Sequence, residues 1–284
     1  MAAVTLTTTL SVAALAERLR SPRPLALDCR FDLDDPAWGE RAYEVGHIPG
    51  AVYAHLDRDL SGPVTGANGR HPLPSVEEMA RRFGALGVGT GVQVIAYDQD
   101  NGMYASRLWW MLRYLGHDAV AVLDGGFSRW VGEGLPVRPG RESATPRTFT
   151  PRVRPEMLVT AGEVARRLDD PAVRLIDARS PERYRGEVEP LDRVPGHIPG
   201  AIDRHYQRNV NPDGTFRPAE ELHAEFAALI GDTAPGSVIS YCGSGVTGCH
   251  NLLAMEIAGI TGVRLYAGSW SEWCADPTRP VERG

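Results

Sequence analysis

One cysteine stands at the start of a run of small residues that could hold it as a nucleophile. Cys242 follows the apolar segment Val238–Tyr241, and the next six residues are Gly-Ser-Gly-Val-Thr-Gly. Glycine lets a backbone turn its N–H groups inward, and the apolar segment 251–260 adds a helix behind them. Inward N–H groups stabilise a thiolate, which is the reactive form of cysteine. The pattern predicts a strand, a tight loop and a helix around a reactive thiol; a structural cysteine in a glycine-rich turn is the alternative.

The octapeptide Cys-Gly-Ser-Gly-Val-Thr-Gly-Cys at 242–249 resembles the active-site loop of the rhodanese family, and within it that of the branch acting on 3-mercaptopyruvate. In that family the first cysteine accepts a sulfur atom and carries it as a persulfide. The resemblance implies that the chain is an enzyme, a sulfurtransferase, and that Cys242 carries the sulfur. It also implies transfer to cyanide or to a thiol such as that of thioredoxin, with release of pyruvate and without a cofactor.

Each part of this loop has an expected task. Backbone N–H groups between Gly243 and Gly248 can stabilise a thiolate and a persulfide without a metal. Ser244 is the side chain placed to hydrogen-bond the substrate or to pass a proton, although serine is also a common turn residue. The loop residues expected at the substrate are Gly243, Gly245, Val246 and Thr247.

The loop also bears on the choice of sulfur donor. Rhodaneses that prefer thiosulfate generally carry basic residues directly after the cysteine, where they hold a dianion. Gly243 and Ser244 are neutral, so the resemblance favours 3-mercaptopyruvate, with thiosulfate as the alternative donor.

A donor carboxylate requires an arginine fork. The segment from Arg183 to Arg193 resembles the substrate-binding segment of the family. By position, the resemblance assigns the carboxylate to Arg183 and Arg193. The spacing around Pro190 departs from the family pattern, and Arg185 is the alternative to Arg193. A solvated surface charge is the other interpretation of any single arginine.

The resemblance further implies a charge relay made of an aspartate, a histidine and the loop serine. Asp57 and His71 stand where the first two should be. A histidine with a near-neutral pKa suits proton transfer, and a carboxylate can orient its ring. The loop between them is longer than in the family, and an ordinary loop carboxylate is the alternative interpretation of Asp57.

The chain contains an internal duplication. Its landmarks recur in the same order, which indicates two copies of one fold. The matching segments are 24–30 with 174–179, 46–51 with 196–201, 94–97 with 238–241, and 123–130 with 266–273. Strands alternate with helices in each half, which predicts an α/β fold of two tandem rhodanese-like domains, each a mainly parallel sheet flanked by helices. We place the domains at 1–139 and 157–284, with a linker at 140–156.

The two copies differ at the position that matters most. Asp98 falls opposite Cys242 when the copies are laid together. A carboxylate cannot take up a sulfane sulfur, so the second domain holds the nucleophile and the first lacks it. The remaining cysteines are expected to be structural; Cys249 lies within the helix that follows the loop, as a small core residue.

Composition limits the function classes. The chain has 284 residues and a net charge of -6, which gives no reason to expect nucleic acid or an anionic membrane as a partner. No apolar run approaches the ~20 residues of a spanning helix, and the N-terminus lacks the features of a secretory signal. Four irregularly spaced cysteines, with no Cys-x-x-Cys pair, indicate a reducing compartment and no zinc site. We expect a cytoplasmic protein without a metal.

Two other classes remain as alternatives. A cysteine phosphatase would need an arginine six residues after the nucleophile to hold phosphate, and Gly248 stands there. A non-catalytic rhodanese-like binding module would have no need to keep the cysteine, the glycine-rich loop and the candidate arginines.

Overall fold

The computed structural model describes residues 5–20 and 23–284, which form two compact units. Unit 1 is made of the chain up to Ser61 together with Pro74–Arg154 and Asn211–Phe216. Unit 2 is made of Gly62–Leu73, Pro155–Val210 and Arg217–Gly284. Two segments therefore belong to the unit formed mainly by the other half of the chain: residues 62–73 lie in unit 2, and residues 211–216 lie in unit 1.

Unit 1 contains a five-stranded sheet in the order β1-β5-β4-β2-β3, with all neighbouring strands parallel. The strands are Thr9–Leu10 (β1), Leu25–Asp28 (β2), Val52–Tyr53 (β3), Val94–Tyr97 (β4) and Val120–Leu123 (β5). The flanking helices are Val12–Arg18 (α1), Trp38–Val45 (α2), Val76–Ala85 (α3), Ala105–Tyr114 (α4) and Gly126–Gly132 (α5).

Unit 2 repeats this topology in the order β6-β10-β9-β7-β8, again with parallel neighbours. The strands are Leu158–Val159 (β6), Arg174–Asp177 (β7), Ile202–Asp203 (β8), Val238–Tyr241 (β9) and Arg264–Tyr266 (β10). The helices are Ala161–Ala165 (α6), Pro181–Arg185 (α7), Ala219–Ile230 (α8), Thr247–Ile257 (α9) and Ser269–Trp273 (α10). Two α/β copies with parallel sheets confirm the predicted fold class.

Buried apolar strands explain why these segments pair as they do. Every residue of β4 and of β9 is buried, as expected for central strands of a parallel sheet that is covered on both faces. The next residues in the chain are Asp98 and Cys242, so each stands at the carboxyl end of a central strand. Open α/β sheets bind their ligands at this edge.

Local capping explains where several helices begin. Ser75 accepts a hydrogen bond from the Glu78 N–H at the start of α3, and Thr160 forms a reciprocal capping box with Glu163 at the start of α6.

In the described ranges, no helix combines the length and the apolar character that a bilayer crossing demands.

The repeated Gly-His-Ile-Pro-Gly-Ala segments form matching turns. His47 stacks on Tyr43 with 4.1 Å between ring centroids, and His197 stacks on Tyr184 at 3.8 Å. In each pair the histidine Nδ1 contacts the tyrosine carbonyl oxygen, at 2.9 and 2.8 Å. Both histidines are therefore engaged in holding the backbone of their turns.

Candidate active site

The Cys242 loop has the strand–loop–helix form that its sequence predicts. β9 ends at Tyr241, and α9 begins at Thr247, only five residues after the cysteine. Gly245 adopts a φ of +79°, a conformation that favours glycine, and its N–H donates to Cys242 Sγ at 3.1 Å. Cys242 is 2% exposed. The nucleophile is thus enclosed by its own loop.

Hydrogen bonds determine the acidity of this thiol. Burial by itself raises the pKa of Cys242, because a buried thiolate loses its hydration. The Thr247 hydroxyl and the backbone N–H groups of Ser244, Gly248 and Gly245 donate to the sulfur and outweigh burial. The net pKa of the Cys242 thiol is lowered, which favours the thiolate.

The other cysteines show what burial does without such donors. Burial raises the pKa of Cys274, and it raises that of Cys29 further, with nearby carboxylates adding to the effect at both. Cys249 is fully buried inside α9, where its Sγ donates to the Gly245 carbonyl at 3.3 Å. The lowered pKa therefore comes from the loop around Cys242 and is not a general property of the buried thiols.

A histidine–serine pair lies in the same unit. His71 Nδ1 is 2.7 Å from the Ser244 hydroxyl, and both residues are buried. His71 reaches this place because residues 62–73 belong to unit 2. Asp57 belongs to unit 1, where its N–H donates to His55 Nδ1 at 3.0 Å. The relay role of Asp57 stays a prediction.

The structure brings one of the two expected arginines to the loop. Arg183 donates to Glu189 at 2.7 Å and to Asp192 at 3.2 Å, and its guanidinium lies next to Gly243. The Arg193 side chain is exposed, and within the described residues no contact joins it to the loop. Arg185 is paired with Glu187 at the surface. The substrate-binding roles of these arginines stay predictions.

Sequence reasoning missed a second arginine at this place. Arg70, the residue before His71, forms an ion pair with Asp192. A Cβ on Gly243 would come within 2.8 Å of Arg70 Nη2 and within 3.4 Å of Arg183 Nη1. Gly243 thus makes room for two guanidinium groups. The one available signal was the position of Arg70 directly before a candidate catalytic histidine.

The backbone of the nucleophile is held by the start of α10. The Cys242 N–H donates to the Ser269 hydroxyl at 3.1 Å, and the Cys242 carbonyl accepts from the Trp270 N–H at 2.9 Å. The Ser271 N–H donates to the Gly243 carbonyl at 2.9 Å, while its hydroxyl accepts from the Arg70 N–H at 3.1 Å. This segment therefore connects the Cys242 loop with the segment that carries Arg70.

The remaining loop residues divide by function. Gly245 and Thr247 donate to the sulfur, Gly243 faces the arginines, and the Val246 carbonyl accepts from the Cys249 N–H in the first turn of α9. Val246 therefore supports the helix start, and no contact with the sulfur is seen for it within the described residues.

The equivalent loop of unit 1 contains a carboxyl group at the position of the thiol. The Asp98 carboxylate accepts hydrogen bonds from the N–H groups of Gly102, Tyr104 and Ala105 at 2.9, 2.7 and 3.1 Å. Burial raises the pKa of Asp98, and these N–H groups oppose the rise. Both copies of the loop thus direct backbone donors at an acidic side chain, which is a thiol only in unit 2.

Comparisons with known proteins agree with this geometry. A family model for the rhodanese-like domain matches residues 11–133 and 160–276. The "probable 3-mercaptopyruvate sulfurtransferase" of Pseudomonas aeruginosa is 47% identical over 277 residues, which cover 97% of this chain and 98% of that protein. The thiosulfate sulfurtransferase of Cricetulus griseus is 35% identical over 285 residues, covering 95% and 93%.

Solved structures show the same relationship. The crystal structure of SseA, a 3-mercaptopyruvate sulfotransferase from Escherichia coli, superposes with a TM-score of 0.81 at 32% identity, covering 93% of this chain and 99% of that one. With two matched domains, near-complete coverage and a thiol-bearing loop at the end of β9, this chain belongs to the rhodanese family.

Proposed function

We propose that this chain is a sulfurtransferase that moves the sulfur of 3-mercaptopyruvate, by way of a Cys242 persulfide, to a thiol or cyanide and releases pyruvate. The observation that carries the proposal is the Cys242 thiol of lowered pKa, surrounded by hydrogen-bond donors beside the His71–Ser244 pair. A thiolate attacks sulfur, and a buried pair of proton-transferring groups can complete the reaction.

The first half-reaction forms the persulfide. The Cys242 thiolate attacks the donor sulfur, an S–S bond forms, and the C–S bond of 3-mercaptopyruvate breaks. Its electron pair leaves with the carbon as the enolate of pyruvate, which needs one proton. Ser244 can deliver this proton and recover it from His71, which lies 2.7 Å from the serine hydroxyl. Donors around the sulfur then stabilise the persulfide as they stabilise the thiolate.

The second half-reaction regenerates the free Cys242 thiolate. An acceptor thiolate or cyanide attacks the outer sulfur, the S–S bond breaks, and its electron pair returns to Cys242 as the thiolate. The lowered pKa of Cys242 makes this thiolate a good leaving group. A small dithiol protein such as thioredoxin is the acceptor that we propose, and the cytoplasm is the compartment; four cysteines without a disulfide support a reducing environment.

Thiosulfate is the second candidate donor, and one observation favours it. Although Gly243 and Ser244 are neutral, Arg70 approaches Gly243 from a distant segment and offers a guanidinium group there, whose charge is balanced by Asp192. The 47% identity to a protein named for 3-mercaptopyruvate, against 38% to a Mycobacterium tuberculosis protein named as a "putative thiosulfate sulfurtransferase", supports the first donor.

The experiment is a direct search for the intermediate. The purified protein is incubated with each donor without an acceptor, and its mass is measured. We expect a gain of about 32 Da on Cys242, the mass of one sulfur, and none in Cys242→Ser. The kcat/KM values of the two donors then decide the substrate. A protein that gains no sulfur from either donor would show that the chain is a non-catalytic member of its family.

A further inference from the structure

We propose that Arg70 and Arg183 form one carboxylate-binding site at Gly243, and that the Asp192 they share positions both arginines and suits the site to a monoanionic donor. This inference deepens the proposed function and rests on it. It identifies Arg70, rather than Arg193, as the second guanidinium and as a residue that determines donor specificity.

A shared carboxylate holds the two arginines together. Asp192 Oδ1 accepts from Arg70 Nη1, and Asp192 Oδ2 accepts from Arg183 Nη2 at 3.2 Å. Only 4% of the Asp192 side chain is exposed, whereas Arg70 keeps 27% of its side chain exposed. Each oxygen of one buried carboxylate therefore fixes one guanidinium group. Arg183 is fixed further by Glu189 at 2.7 Å.

The two arginines still have donors for a ligand. Their hydrogen bonds use Arg70 Nη1 and the Nε and Nη2 of Arg183. Across residues 5–20 and 23–284, neither Arg70 Nη2 nor Arg183 Nη1 donates to a protein acceptor, and these are the two atoms nearest to a Cβ built on Gly243. Two such N–H groups from separate guanidinium groups, one residue after the nucleophile, suit the two oxygens of a carboxylate.

Charge balance determines which anion this site accepts. Glu189 is shared between Arg183 and Arg179, and Arg179 is itself paired with Asp177. The cluster contains equal numbers of cations and anions: Arg70, Arg179, Arg183, Asp177, Glu189 and Asp192. Because the cluster is neutral, any bound anion adds its full charge to the site, and the dianion thiosulfate adds twice the charge that the single carboxylate of 3-mercaptopyruvate adds. The site therefore favours 3-mercaptopyruvate.

In this site Arg70 takes the role that the sequence resemblance assigns to Arg193. The side chain of Arg193 is exposed, and its backbone N–H donates to the Cys274 sulfur. The arrangement with Arg70 is possible because residues 62–73 belong to unit 2.

The test uses two alkylating reagents that differ in a carboxylate. The Cys242 thiolate displaces iodide from both iodoacetate and iodoacetamide, and only iodoacetate offers a carboxylate to the arginines. Any change in the pKa of the thiol affects both rates alike, so the ratio of the two rates reports the arginine site. We expect the iodoacetate-to-iodoacetamide ratio to fall about tenfold in Arg70→Ala and in Arg183→Ala, the scale of one lost charge-assisted hydrogen bond. Arg166→Ala, an exposed arginine at the end of α6, is the matched control and keeps the wild-type ratio.

Steady-state kinetics provide the second measurement. Arg70→Ala should raise KM for 3-mercaptopyruvate about tenfold with kcat nearly unchanged, since it removes ground-state and transition-state binding alike. Asp192→Asn leaves one positive charge unbalanced, so the ratio of kcat/KM for thiosulfate to that for 3-mercaptopyruvate should rise. A merely structural role for Asp192 would lower both values together.

The outcomes separate the two proposals. The Arg70–Arg183 site is overturned if Arg70→Ala keeps the wild-type iodoacetate-to-iodoacetamide ratio, or if that ratio falls in Arg193→Ala instead. This holds even if sulfur transfer is intact. Wild-type protein that takes no sulfur from 3-mercaptopyruvate overturns the proposed function, while the alkylation ratio still tests the pair.

Discussion

The residue that holds the Cys242 backbone has an unusual conformation, and this makes its substitution informative. Across residues 5–20 and 23–284, Ser269 is the one non-glycine residue with a positive φ, 54°. Its hydroxyl accepts from the Cys242 N–H at 3.1 Å and donates to the Tyr266 carbonyl at 2.9 Å. The matching residue of unit 1 is Gly126, with a φ of +58°. Unit 2 therefore tolerates backbone strain where unit 1 has glycine, and it gains a hydrogen bond to the nucleophile.

The energies of two substitutions follow from these contacts. Ser269→Ala removes both hydrogen bonds and keeps the strain, and leaving the buried Cys242 N–H without a partner costs about 1–3 kcal/mol. Ser269→Gly loses the same hydrogen bonds, but glycine adopts the left-handed conformation without the steric cost of roughly 1 kcal/mol that alanine retains. We expect the glycine variant to be the more stable of the two by about 1 kcal/mol. This order is unusual, because glycine in a helix is ordinarily less stable than alanine by about 0.5–1 kcal/mol.

The assay is urea unfolding of wild type and both variants, followed by tryptophan fluorescence, to which the buried Trp270 and Trp273 of unit 2 contribute together with the tryptophans of unit 1. Alkylation of Cys242 at neutral pH is measured on the same samples and should be slower in both variants, since each releases the cysteine backbone. Gly126→Ala serves as the control in the other unit, because its Cβ would lie 2.7 Å from the Asp100 carbonyl oxygen and should strongly destabilise unit 1. An alanine variant as stable as the glycine variant would refute the assignment of strain to Ser269.

Three further predictions concern the thiol and its partners. Cys242→Ser should abolish persulfide formation and turnover while far-UV circular dichroism stays that of wild type; turnover in this variant would exclude the proposed nucleophile. The alkylation rate of Cys242 should rise with pH and reach half its maximum below pH 9, the ordinary pKa of a cysteine thiol, because the pKa of Cys242 is lowered. Cys29 and Cys274, whose pKa values are raised, should react only at higher pH. A midpoint above pH 9 for Cys242 would contradict the arrangement of donors around its sulfur. Ser244→Ala and His71→Gln should each lower kcat about 10²-fold, and the double variant should be no worse than the worse single one, because they act as one pair; additive losses would argue for separate roles.

Much of the fold and the nucleophile could be read from local patterns. Short apolar strands followed by glycine-rich turns, repeated in the same order, predict two copies of a parallel α/β fold, and the structure has them as sheets of identical topology. The loop after β9 predicts a reactive thiol because its donors are backbone groups close in sequence to Cys242. Helix α9 begins at Thr247, four residues before the apolar segment 251–260. Its first turn is therefore formed by the last residues of the Cys242 loop and by the residues that follow them. Cys249 accordingly lies in that helix as a core residue, as predicted.

The side chains around that thiol are brought together by the packing of distant segments. His71 and Ser244 are 173 positions apart and meet because residues 62–73 pack into unit 2, which no local periodicity encodes. The same packing brings Arg70 to Gly243, a contact that depends on the absence of a side chain at 243 and on a carboxylate at 192. Backbone chemistry next to the cysteine is set by neighbours in the chain and is visible in the sequence. The surrounding charges come from remote segments, and only the packing of the chain places them.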